Sequence, residues 1–106
     1  LIKAKQGDAR AQYALGWIYR GNKDIPNDVT EDYEESVKWY GKAAEQGHAK
    51  SQTWLGVMYS LGWGVTQGYK ETINWYRKAA DQNETLAQLR LGSLYFNGWG
   101  VPKDVN

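Results

Sequence analysis

The sequence predicts an all-α solenoid of stacked antiparallel helix pairs, on three observations. The phrase WYGKAAEQGHAKSQTWLGVMY, Trp39 to Tyr59, returns as WYRKAADQNETLAQLRLGSLY, Trp75 to Tyr95, displaced by 36 residues with no gap. A Leu-Gly pair recurs at Leu15-Gly16, Leu55-Gly56 and Leu91-Gly92, spaced by 40 and then 36 residues. Apolar residues follow helical spacing, as Ala11, Leu15, Ile18 and Tyr19 do at i, i+4, i+7 and i+8. Self-similarity at a period of roughly 20–50 residues marks an array whose units cannot bury their apolar faces alone and stack on one another.

That register divides the chain into the end of a preceding repeat (1–6), repeat one (7–46), repeat two (47–82), and the first helix and turn of repeat three (83–106). Repeat one is longer than repeat two by four residues. Val29-Thr30-Glu31-Asp32-Tyr33 aligns with Val65-Thr66-Gln67-Gly68-Tyr69, so the insertion falls within 20–28. That stretch holds the loop formers Gly21, Asn22, Asp24, Pro26 and Asn27. The chain opens without Met and breaks mid-repeat at both ends, so it is expected to be a piece of a longer array.

The first helix of repeat one should run from about Asp8 to Arg20, with Asp8 favouring the positive end of the helix dipole. Ala11, Leu15, Ile18 and Tyr19 form its apolar stripe. Beside them lie Ala9, Gln12 and Gly16, repeated as Ala49, Gln52, Gly56 and as Thr85, Gln88, Gly92. Small residues let another helix approach, which accounts for a helical Gly despite its cost of about 1 kcal/mol against Ala. The second helices should span about Tyr33 to Gln46 and Tyr69 to Gln82. Their stripes are Tyr33, Val37, Tyr40, Ala44 and Tyr69, Ile73, Tyr76, Ala80. Asp32 is a good N-cap and Gly68 a poorer one. Gly47 and Asn83 follow these helices, where a left-handed residue is expected.

Thirteen basic and twelve acidic side chains leave a net charge of +1. Nucleic-acid binding needs a concentrated basic face, and none is visible. There is no cysteine, which removes disulfides, thiolate nucleophiles and Cys-based zinc sites. No apolar run approaches the roughly 20 residues that cross a bilayer, so no membrane insertion is expected. Six Trp and eight Tyr supply amphipathic aromatics suited to half-buried positions and to binding surfaces.

Ala9-Arg10-Ala11-Gln12 through Leu15-Gly16 to Tyr19, then Gly62-Trp63-Gly64-Val65 and Gly98-Trp99-Gly100-Val101, then Trp39 to Ala44 and Trp75 to Ala80, together resemble the Sel-one-like repeat (SLR). This is a tetratricopeptide-related family of helix-turn-helix arrays. The resemblance covers essentially the whole chain. Repeat one departs from it in replacing Gly-x-Gly-Val by Pro26-Asn27-Asp28-Val29, and Gly68, Ser36 and Thr72 also differ from the pattern. The resemblance implies a right-handed superhelical solenoid acting as a non-enzymatic adaptor, with no shared catalytic residue and no cofactor. It favours a bacterial periplasmic or secreted location.

One side of each first helix is left uncommitted by the stripes. It holds Arg10, Tyr13, Trp17 and Arg20, then Lys50, Thr53, Val57 and Ser60, then Leu86, Leu89, Ser93 and Phe96. In related arrays this side lines the concave groove, so these residues are the candidate partner contacts. An exposed Trp near Tyr and Arg has the composition of a binding hot spot. Tyr13 and Trp17 are the proposed anchors, set against incidental exposure. Trp54 is expected to pack. Trp63 and Trp99, in the Gly-Trp-Gly-Val turns, are expected to cap the core between units, with a surface role as the alternative.

Weaker signals remain. His48 has no Ser, Cys or second His to work with, so it is read as structural or solvent-exposed rather than catalytic. Asp24, Asn27, Asp28, Glu31 and Asp32 form an oxygen-rich stretch, but their spacing does not match a calcium loop. Glu34 and Glu35 lie on a solvated face, without a second carboxylate across a cleft. The expected function is a protein-binding scaffold with a protein or peptide partner on the concave face. The alternatives are a glycan-binding accessory module using exposed Trp and Tyr, and end-to-end self-association.

Overall fold

The computed structural model describes residues 2–21 and 32–97. Six helices occur there: α1 (Ile2–Lys5), α2 (Ala9–Arg20), α3 (Tyr33–Glu45), α4 (Ala49–Leu61), α5 (Tyr69–Ala80) and α6 (Thr85–Asn97). No strand occurs among the described residues. The body is elongated, 50 × 31 × 21 Å, as expected of a stack. Consecutive helices pack in order along it, α2 on α3, α3 on α4, α4 on α5 and α5 on α6. The insertion between α2 and α3, with Asp24, Asn27, Asp28 and Glu31, lies outside the described residues. So does the Gly98-Trp99-Gly100-Val101 turn.

The ends of the helices follow from the sequence. Asp8 accepts from Ala11 N at 2.9 Å and Asp32 from Glu35 N at 3.1 Å. Gly68 starts α5 without a side-chain cap. Gly47 and Asn83 take the expected positive φ, +92° and +66°. The second helix of each pair is tied to the end of the first by one bond. Asp32 N donates to Tyr19 O at 2.6 Å, and Gly68 N donates to Tyr59 O at 3.0 Å. Repeat one therefore returns to the same anchor despite its insertion.

Two apolar clusters fill the stack. Tyr40, Ala44, Leu55 and Met58 form one, joined by Val37, Tyr33 and Trp63. Val57, Ile73, Tyr76, Ala79, Ala87 and Leu94 form the other, joined by Leu91. Trp54 packs against both, as its expected packing role requires. Trp63 lies half-buried over Tyr33, ring centroids 4.7 Å apart and planes 8° from parallel, so it caps the core as expected. Gly64 permits that turn: its φ is +75°, and a Cβ there would overlap the Tyr33 carbonyl.

One expected stripe is incomplete. Ile18 is 50 % exposed, whereas its counterparts Met58 and Leu94 are buried. Those two rest on α3 and α5, the full-length helices that precede their own. The element before α2 is α1, a single turn that does not extend over Ile18. The buried positions of α2 are instead Gln12 and Gly16.

A second pattern runs the length of the stack. Gln12, Gln52 and Gln88 each donate Nε2 to the carbonyl of the last alanine of the preceding helix, Ala4, Ala44 and Ala80, at 3.1, 3.1 and 3.2 Å. Gln46 and Gln82 then donate to Gln12 Oε1 at 2.7 Å and Gln52 Oε1 at 3.0 Å. Gln12 and Gln52 are buried, and their amides are satisfied in this register, so they fix how far one pair slides on the next.

Candidate functional site

The candidate contacts do not form one continuous face. Thr53 is 1 % exposed and Val57 is 4 % exposed, so neither is available to a partner. Thr53 Oγ1 donates to Glu84 Oε1 at 2.6 Å, at the start of α6. Val57 lies in the cluster with Ile73, Tyr76, Ala87 and Leu94. The helical wheel left this side of α4 uncommitted, but α5 and α6 cover it. The columns Tyr13–Thr53–Leu89 and Trp17–Val57–Ser93 thus face the following repeat.

That correction explains the ends of each column. On α2, Tyr13 is half-buried, its ring 5.8 Å from Tyr40 and 5.0 Å from His48. Trp17 remains 50 % exposed. On α6, Leu89 is 66 % exposed and lines a separate shallow groove of about 390 Å³ with Gln88, Gly92, Ser93 and Phe96. Leu89 and Ser93 are thereby separated from the other candidates.

Four candidates do converge. Tyr13 from α2, Lys50 and Thr53 from α4, and Leu86 from α6 line a groove of about 180 Å³, with Trp54 and Glu84. It crosses three first helices. Arg10 and Lys50 are exposed, and both act on His48 through their charge. Trp54 continues from the groove into a cation–aromatic stack: the half-buried Arg20 guanidinium lies 4.6 Å from the Trp54 ring and 5.0 Å from Trp17. Tyr40 lies beneath, 6.5 Å from Trp54 and stacked on it. Burial pushes the Tyr40 phenol up, and the positive charge of Arg20 offsets only part of that. Among the described residues neither Tyr40 OH nor Arg20 Nε has a hydrogen-bond partner.

The same backbone position caps each first helix with a different chemistry. Asp8 is followed one repeat later by His48, whose Nδ1 accepts from Ser51 N at 3.3 Å and lies 2.7 Å from Ser51 Oγ. One repeat later again, Glu84 Oε1 accepts from Ala87 N at 3.2 Å. His48 is therefore structural. Burial lowers its pKa, and Arg10 and Lys50 lower it further. Sequence reasoning did not anticipate Glu84 or Trp54 in the groove. The signal was present in the cap column, since residues 8, 48 and 84 align.

No group of three His, Cys, Asp or Glu able to hold a metal occurs among the described residues. No described helix is long and apolar enough to cross a membrane.

The Sel1 repeat family matches residues 9–48, 49–84 and 85–106, segments that begin at the first residues of α2, α4 and α6. A solved protective antigen present in uropathogenic Escherichia coli strains, displaying an SLR fold, is 40 % identical with a TM-score of 0.85 over 95 % of this chain. A Sel1 repeat protein from Oxalobacter formigenes is 38 % identical with a TM-score of 0.81 over 93 % of this chain. The chain spans 21 % and 39 % of those two proteins. None of the curated proteins is significantly similar. Sel1 repeats generally mediate protein–protein interaction and are generally non-catalytic scaffolds. Three repeat matches over a helical stack with this register make the chain a member of the Sel1 repeat family.

Proposed function

We propose that the chain is a protein-interaction module that docks a peptide segment of a partner in the groove lined by Tyr13, Lys50, Trp54 and Leu86. The observation that supports this most is the convergence of side chains from three first helices on one recess. Tyr13 and Trp54 are held by packing, so they offer apolar area without loss of side-chain freedom on binding. Arg10 and Lys50 form a cationic rim, which suits an acidic residue next to an apolar anchor. Trp17 and Arg20 extend the surface along α2. Thr53, Val57, Leu89 and Ser93 are left out of this reading.

Selection from a random peptide-display library tests it. The bait is this chain, beside a Lys50→Glu/Leu86→Glu double variant matched for helicity by circular dichroism. Peptides with an acidic-apolar signature, held by the unmodified chain and at least about tenfold weaker on the variant, support the groove. Equal retention by both baits removes it. Quenching of tryptophan fluorescence by oligosaccharides, lost on Trp17→Ala, would assign the surface to glycan instead.

A further inference from the structure

The two junctions between repeats are built on the same positions and filled differently. At the first junction Arg20 lies across Trp54 and beside Tyr40. One repeat later the residue at the Arg20 position is Ser60, Trp54 becomes Arg90, Tyr40 becomes Tyr76, Tyr33 becomes Tyr69 and Met58 becomes Leu94. The long side chain that plugs the first junction is missing from the second. A cavity of about 260 Å³ stands in its place, lined by Ser60, Leu61, Tyr69, Tyr76, Arg90, Ser93 and Leu94.

The lining divides by chemistry. Leu61, Leu94 and the Tyr69 ring make an apolar wall. Arg90, the Tyr76 hydroxyl and Ser60 make a polar one. Ser60, Tyr76 and Arg90 are brought together in this lining. Burial raises the Tyr76 pKa, so the phenol stays neutral and holds its proton. Ser60 Oγ donates its proton to Val57 O at 2.7 Å, which leaves its lone pairs as acceptors. Among the described residues no carboxylate lines the cavity, and a guanidinium carries five N–H donors. The recess therefore presents positive charge and donors beside an apolar wall, with no anion among its described lining residues.

We infer that the cavity between α4, α5 and α6 receives the C-terminal residue of a partner chain, its carboxylate on Arg90 and its side chain against Leu61, Tyr69 and Leu94. A C-terminal residue carries a carboxylate and an apolar side chain on one carbon, which matches the two walls. Sites for drug-sized ligands begin at roughly 300 Å³, so this recess suits a single residue. The inference deepens the partner-binding reading by naming the chemistry of one contact. It uses residues separate from the groove of Tyr13, Lys50 and Leu86.

The test uses the whole chain, isotopically labelled, and three capped tripeptides. These are acetyl-Gly-Gly-Leu with a free carboxylate, the same peptide as its amide, and acetyl-Gly-Glu-Gly-amide. The free-carboxylate peptide should shift the resonances of Leu61, Tyr69 and Leu94. Amidation should weaken binding at least about tenfold, as expected for loss of a charge-assisted pair. Arg90→Gln, at an exposed side chain, should weaken it to the same extent. Ser60→Phe, which fills the recess, should abolish it at unchanged helicity. Lys50→Glu/Leu86→Glu should leave it intact. Equal binding of the amide, tighter binding of the glutamate peptide, or indifference to both Arg90→Gln and Ser60→Phe would overturn the inference. Those results leave the groove untouched, whereas failure of the display selection leaves this cavity untouched.

Discussion

The backbone of Gly56 lies on the face of the Tyr76 ring. A Cβ at Gly56 would stand 2.6 Å from Tyr76 Cδ1, and one at Gly16 would stand 2.6 Å from Tyr40 Cδ1. Both rings are almost wholly buried, so they cannot retreat without opening the core. Gly92 holds the same place in repeat three, and among the described residues nothing lies within 4 Å of its Cβ direction. Gly56→Ala should therefore destabilise by about 1–3 kcal/mol through overpacking. Gly92→Ala should be neutral, or stabilise by up to about 1 kcal/mol through helix propensity. Urea unfolding of both variants decides it. Equal losses at the two positions would show that ring contact is not what requires glycine.

The glutamine series makes a second prediction. Gln52 is buried, and its amide both donates to Ala44 O and accepts from Gln82. Gln52→Ala removes one donor to that carbonyl, which keeps Gly47 N, together with the acceptor of one Gln82 N–H, and should cost about 1–2 kcal/mol. Gln82 is exposed, so its removal opens Gln52 Oε1 to water as a replacement donor, and Gln82→Ala should cost under about 1 kcal/mol. A double-mutant cycle should return a coupling of about 0.5–1.5 kcal/mol. Additive single losses would mean that the two amides do not act as a pair.

The fold was legible because it repeats. Each register mark in the sequence has a packing cause: Gly16 and Gly56 admit Tyr40 and Tyr76, and Asp8 and Asp32 cap α2 and α3. The groove was only partly legible. A helical wheel shows which side of α4 lacks a stripe, but it does not show that α6 lies on that side. Thr53 and Val57 were therefore assigned to a surface when they form a junction. Trp54 packs, as its place beside the apolar stripe implies, and it also lines the groove. Glu84 could have been recognised by alignment with Asp8 and His48, but a glutamate is an unusual cap and its type gave no hint. The cavity beside Tyr76 becomes visible only when Ser60 is set against Arg20 and both surroundings are known.

His48 gives the pH prediction. Its Nδ1 must stay unprotonated to accept from Ser51 N, and folding lowers its pKa by burial and by the charges of Arg10 and Lys50. Between that lowered value and the ordinary value of about 6.5, the unfolded chain binds a proton that the folded chain does not. Stability from this group is therefore fully present above about pH 6.5 and is lost as pH falls through the folded pKa. His48→Asn keeps a capping acceptor and should remove this step from the pH profile. Denaturant midpoints between about pH 7 and pH 5 measure it. An unchanged profile in the variant would assign the step to other groups.

The two junctions can also be exchanged. Ser60→Arg alone should be destabilising, because it sets a second guanidinium beside Arg90 with no counterpart of Trp54 to lie on. Arg90→Trp alone should be close to neutral or mildly destabilising, because it leaves a large ring beside an unfilled recess. Together they rebuild the arrangement of Arg20 and Trp54, whose guanidinium-to-ring distance is 4.6 Å. A partly desolvated cation–π contact contributes about 1–2 kcal/mol. The double variant should therefore exceed the sum of the single variants in stability by about that amount, measured by a thermodynamic cycle. It should also lose the free-carboxylate tripeptide, since the recess is then filled and Arg90 is gone. Additive single effects would show that repeat two cannot adopt the filling of repeat one, and that more than residues 60 and 90 distinguishes the junctions.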